Sequence, residues 1–130
     1  MDLTVRSETL SSGNQTWLGS AHGTDNGRSI TLDTSTFTPS THYPNGYLPS
    51  GTPISRITAT GKYGLYDNAT AGGQDVLSGF LLTDIAMPTV NTIDPQGALF
   101  EHGVVIEANL PYALADASGK TDVGTRIIFR

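Results

Sequence analysis

The apolar positions after residue 53 fall into short runs separated by turn residues, which is the pattern of a β-rich domain. Ile54-Ser55-Arg56-Ile57-Thr58-Ala59-Thr60 is rich in β-branched residues and stops at Gly61. Lys62-Tyr63-Gly64-Leu65-Tyr66 alternates, so that Tyr63 and Leu65 share one strand face. Asp67 to Asp75 is a loop containing Gly72-Gly73. Val76 to Met87 (VLSGFLLTDIAM) is too continuously apolar for a half-exposed strand and predicts a central strand buried on both faces. Gly79 within it marks a bulge or a close backbone approach. Ala98-Leu99-Phe100 and Val104-Val105-Ile106 flank Glu101-His102-Gly103 and predict a strand pair or one bulged strand. Arg126-Ile127-Ile128-Phe129 predicts a final strand, and Leu110 to Ala117, stopping at Gly119, is the one stretch that reads as a helical turn. The expected fold is all-β: a small domain of five to seven short strands, as a sandwich or partly open barrel, with at most one short helix. Its core is expected from Ile57, Leu65, Val76, Phe80, Leu82, Val105, Ile106 and Ile128.

Composition changes the picture near residue 52. Residues 1–52 hold 18 Ser or Thr and only 11 large apolar side chains (Leu, Ile, Val, Phe, Tyr, Trp), against 25 of the latter in residues 53–130. So dilute a segment buries little by itself against the entropy of ordering its backbone. The chain therefore divides into an extended N-terminal arm, residues 1–47, and a β-rich domain, residues 48–130, with the arm separable and held down by a partner. Trp17-Leu18 and Ile30 with Leu32 are the arm's apolar pairs and its candidate partner-binding residues. Trp17, the one tryptophan, reads either as a lid on the domain core or as an anchor in a partner's pocket. The alternative for the whole arm is that it packs along its own domain.

Charge and candidate chemistry narrow the function. The formal net charge is −5, with 12 acidic and 7 scattered basic residues, so no clustered basic face suits nucleic acid or an anionic membrane. There is no cysteine, which excludes disulfides and thiolate metal sites. The first ten residues, MDLTVRSETL, carry no apolar signal core, and no apolar run is long enough to span a bilayer. Phosphate-loop, dinucleotide and His-Glu-x-x-His motifs are absent. His22, His42 and His102 are far apart, and Glu101 and His102, as neighbours on a strand, point to opposite faces. Asp84, inside the apolar run, reads as a turn cap or a point of strand exit in preference to a buried reactive carboxylate. Asn14-Gln15-Thr16 and Asn68-Ala69-Thr70 match the glycosylation pattern, which is common by chance. The expectation is a non-enzyme with no cofactor and no metal.

Several segments, in order and spacing, resemble the bacteriophage head decoration proteins of the lambda type. They are Ser50-Gly51-Thr52-Pro53-Ile54, Ile57 to Gly64 (ITATGKYG), Val76 to Leu82 (VLSGFLL), and Gly103-Val104-Val105-Ile106 ahead of Leu110-Pro111. The resemblance covers about residues 48–130, and the arm is similar in character only. It implies a small β-rich structural protein that forms a homotrimer on the outer surface of an expanded capsid. The partner would be the major capsid protein, the site of synthesis the host cytoplasm, and the work mechanical, holding the shell against internal DNA pressure. The arm, with Trp17, Leu18, Ile30 and Leu32, would supply the capsid contact by adding main-chain pairing. Two other readings compete. A secreted or surface β-sandwich binding module, carbohydrate-binding or fibre-associated, shares the composition, although the tyrosines form no single stripe. A small trimeric β enzyme is disfavoured by the lack of any catalytic constellation.

Overall fold

The computed structural model describes residues 14–20, 27–112, 118–124 and 126–130. Among them are nine strands and two short α-helices: β1 (Arg28–Thr31), α1 (Pro39–His42), β2 (Tyr47–Leu48), β3 (Pro53–Arg56), β4 (Tyr63–Leu65), β5 (Gly79–Leu81), β6 (Ile85–Ala86), β7 (Gln96–Phe100), β8 (Gly103–Val105), α2 (Ser118–Val123) and β9 (Ile127–Phe129). The protein is mostly β, as expected, in a small β-rich domain without a closed barrel. Five strands form one antiparallel sheet in the order β1-β7-β5-β3-β4, flanked by an antiparallel pair β2-β6 and a parallel pair β8-β9.

The central sheet is buried on both faces, and the alternation of side chains along β5 and β7 builds two cores. Phe80 and Phe100 lie opposite each other and face one side, where Trp17, Leu77, Val105, Val123 and Ile127 cover them. Leu81 and Leu99, also opposite, face the other side with Ile30, Leu32, Leu48, Ile54 and Tyr63. This double burial is why Gly79–Leu81 reads as an unbroken apolar run. Gly79 is the close approach that the sequence predicts: a Cβ there would lie 2.2 Å from the Phe100 carbonyl oxygen. The two edges of the sheet touch at one point, where Leu32, just after β1, forms an isolated bridge with Tyr63 of β4. The Asp33 amide donates to the Tyr63 carbonyl (2.7 Å) and the Leu65 amide to Thr36 Oγ1 (3.2 Å), so the β4 edge is satisfied within the chain.

Several expectations need correction. The long strand from Val76 to Met87 is two short strands, β5 and β6, with Asp84 in the turn between them. The segments around Glu101 do not pair with each other: β7 lies between β1 and β5, while β8 pairs with β9. Of the eight expected core residues, only Phe80 and Val105 are fully buried, and Val76 and Ile128 are half exposed (52% and 51%). In each of these two cases the neighbouring residue, Leu77 or Ile127, takes the inward position. The Leu77 amide is tied to Asp122 Oδ2 (2.9 Å), and the parallel register sets Ile127 beside Gly103. A second helix, α1, stands where none is expected, its φ pre-set by Pro39 at the first turn. The other helix begins where the predicted one ends, and residues 113–117 of that prediction lie outside the described residues.

Candidate functional site

The break in composition near residue 52 does not mark a break in packing. Trp17 and Leu32 are completely buried and Ile30 is 4% exposed, while Leu18 is half-buried against the second core. Trp17 to Gly19 lie as an extra strand along β8: Leu18 pairs with Val105, the Gly19 amide donates to the Val104 carbonyl (2.9 Å), and the Ile106 amide to the Trp17 carbonyl (2.6 Å). Ile30 belongs to β1, which is paired along its length with β7. Trp17, Ile30 and Leu32 thus pack inside the domain, and Leu18 keeps part of its side chain at the surface. The lid reading of Trp17 is the one its position supports. Residues 1–13 and 21–26 of the arm, His22 among them, lie outside the described residues.

Trp17 and Asp84, singled out separately in the sequence, meet at one node through Ser50. Trp17 Nε1–H donates to Ser50 Oγ (3.0 Å), Ser50 Oγ–H donates to the Leu82 carbonyl (2.7 Å), and the Ser50 amide donates to Asp84 Oδ1 (2.7 Å). Gly51, at φ +92°, closes the turn beneath the indole, where a Cβ would lie 2.9 Å from the ring and 2.8 Å from Pro111 Cδ. Its amide donates to the Leu81 carbonyl (2.7 Å), which starts the β3-β5 pairing. The Ser50 hydroxyl, accepting from the indole and donating to a carbonyl, joins the Trp17 segment to the end of β5. Asp84 is the turn cap that the sequence predicts.

Several of the remaining titratable groups form ion pairs near the surface. Lys62 lies 2.6 Å from Asp94, which also accepts from the Thr34 amide. These two bonds hold the Asp94 carboxyl below the usual carboxylate range, the lysine contributing most. Glu101 faces Arg28 of β1 (3.6 Å) and Arg126, just before β9 (4.0 Å). Among the described residues no group of three His, Cys, Asp or Glu is arranged to hold a metal, and no helix is long and apolar enough to cross a membrane.

What the surface does offer is an uncharged, apolar groove. Two adjoining depressions of about 580 and 410 Å³ share Pro39, Tyr43 and Thr89. Their walls come from α1, the residues just before β2 and the stretch after β6, with Pro44, Met87 and Pro88 at one end and Phe37 and Val90 at the other. No charged side chain lines either depression, in a chain of net charge −5. Val90 (49%), Ile93 (56%) and Tyr47 (41%) are large exposed apolar side chains, and Val90 lines the second depression. Such surface suits a protein contact. Sequence reasoning missed this groove, because Val90 and Ile93 sit in a loop with no periodicity to mark them. In comparison with known proteins, no family model and no curated protein matches the chain.

Proposed function

We propose that this chain is a structural virion protein, a bacteriophage head decoration protein that binds the outer surface of an expanded capsid as a homotrimer. The observation that carries this reading is where the residues of the resemblance fall. Ser50, Gly51 and Thr52 form the turn beneath Trp17, Ile54 and Tyr63 belong to the first core, and Phe80 to the second. Gly103 and Val105 form the pairing edge for β9, and Pro111 packs at Gly51. Each segment of the resemblance thus supplies a turn, a core side chain or a strand pairing of the domain. The uncharged groove adds weaker support, since it suits contact with protein better than chemistry on a small molecule.

On this reading the function is thermodynamic. A protein that binds the expanded lattice and not its precursor stabilises the expanded form by mass action. Three copies on one rigid body engage with a high effective concentration, so a modest contact per subunit becomes strong in total. Because Trp17, Ile30 and Leu32 face inward, the gripping surface is drawn from residues other than these three. The test is twofold. Solution mass should be about three times the 13.7 kDa of the chain, and the protein should co-sediment with expanded heads and not with unexpanded ones. A monomer that ignores both kinds of head would favour the surface binding-module reading instead.

A further inference from the structure

The α1 turn is held by a bond that only a neutral histidine can make. The Thr38 amide donates to His42 Nδ1 at 2.8 Å. Thr38 is the N-cap of α1, and its own side chain makes no capping bond, so the His42 ring takes the place of a conventional cap acceptor. With its proton on Nε2, a neutral imidazole has a lone pair at Nδ1 to receive that amide. An imidazolium carries N–H at both nitrogens, and the two donors would then face each other. Four residues make a single helical turn, too short to persist on its own hydrogen bonds. The turn is also held by the Thr41 and His42 amides on the Thr38 carbonyl, by the buried Phe37 and Tyr43 on either side of it, and by Tyr112, whose hydroxyl lies 2.8 Å from the His42 carbonyl oxygen and 3.2 Å from that of Thr41. The His42 ring itself sits edge-on to Phe37 and Tyr112, with centroids 6.1 and 5.9 Å away.

We propose that His42 is an acid-sensitive latch: its protonation breaks the Thr38 bond and loosens the N-terminal end of the α1 turn between its buried anchors Phe37 and Tyr43. The surroundings give an imidazolium nothing in return. Tyr112 is the titratable side chain packed against the ring from outside α1, and burial raises its pKa above the ordinary tyrosine value, so it stays neutral through the acid range. Tyr43 follows in the chain. The described ion pairs join Arg28 and Arg126 to Glu101, Lys62 to Asp94, and Lys120 to Glu107, and none includes His42. Partial burial moves the His42 pKa below the ordinary histidine value, which agrees with the geometry. The sign follows from linkage. A lowered folded-state pKa means the contribution is complete above the ordinary histidine pKa and is lost as pH falls through the lowered value. Loosening matters because Pro39, the first residue of α1, walls both halves of the groove. That wall would therefore be firmer near neutral pH than in mild acid.

The test follows the Thr38 amide and the His42 ring by NMR in the intact chain between pH 7.5 and pH 5. Thr38 protection, its exchange rate relative to the intrinsic rate, should fall by about fivefold, the weight of one ordinary hydrogen bond. Its midpoint should coincide with that of the His42 ring, below about 6.5. In His42→Gln the side-chain carbonyl can accept the amide but cannot titrate, so Thr38 protection should be the same at both pH values. Protection that is independent of pH in the wild type, or a loss that persists in His42→Gln, would overturn the proposal. If His42→Gln does not fold, the wild-type curves alone decide: coincident midpoints support the latch, and separate midpoints refute it.

Discussion

Replacing Trp17 with Ala removes the largest fully buried side chain of the second core. The indole packs edge-to-face on Phe100 at 5.3 Å and tilted against Phe80 at 5.9 Å, and it has no exposed surface. Deletions of this kind cost about 3–5 kcal/mol when the site cannot collapse, and Gly51 and Pro111, already at van der Waals limits, leave little freedom to collapse. The lost Nε1–H bond to Ser50 adds about 1 kcal/mol and not more, because the serine hydroxyl keeps its own donation to the Leu82 carbonyl. The expected loss is therefore about 4–6 kcal/mol, a large fraction of the stability of a single domain. Trp17→Phe, which keeps a ring but loses the bond, should cost about 1–2 kcal/mol. Urea titration followed by far-UV circular dichroism measures both, since the variants lack the only tryptophan. A loss below about 1 kcal/mol for Trp17→Ala would refute the reasoning and would return Trp17 to the role of an anchor for a partner.

Two further outcomes follow from the same packing. A chain starting at Tyr47 should fail to fold, shown by absent cooperative unfolding, because it lacks Trp17, Ile30, Leu32, Phe37 and Tyr43 from the two cores and the whole of β1. A cooperative transition for that fragment would show that the arm is separable after all. Ser55 is fully buried and its Oγ has no hydrogen-bond partner among the described residues. Ser55→Ala should therefore be neutral or up to about 1 kcal/mol stabilising, and a loss beyond about 1 kcal/mol would mean that the hydroxyl is bonded, for instance to a buried water.

The strands that could be read from the sequence are those whose own residues carry the burial. In β3, β4 and β5 most side chains face a core, so their periodicity or their continuous apolarity is visible locally. β1 is different. Only Ile30 of its four residues is buried, and what holds it is main-chain pairing with β7, some seventy residues later in the chain. A strand stabilised by its partner leaves almost no trace in its own composition. Gly119 misled for a related reason. Glycine commonly ends a helix, but here it lies inside α2, where a Cβ would come within 3.2 Å of Leu77 Cδ2 and 3.3 Å of the Tyr66 hydroxyl. Tight packing, and not chain reversal, is what requires glycine at that position.

The arm shows where averaging over composition fails. Residues 14–48 are polar overall, yet Trp17, Ile30, Leu32, Phe37, Tyr43 and Leu48 are all buried. A low density of apolar side chains, each used with high efficiency, integrates a segment as firmly as a high density used poorly. The node at Ser50 could not be read in advance either, since its partners lie 33 and 34 residues away on opposite sides. The same difficulty governs the search for a binding face. Val76 and Leu77, or Ile127 and Ile128, are chemically interchangeable neighbours, and only long-range bonds decide which one is hidden. Apolar side chains that face solvent are therefore invisible as a class until the register is known. Once it is known, Tyr47, Val76, Val90, Ile93 and Ile128 stand out as the large apolar side chains left unburied. If the protein grips a capsid through side chains of its folded domain, substitutions among these five should weaken binding without lowering stability, the reverse of what Trp17 should do.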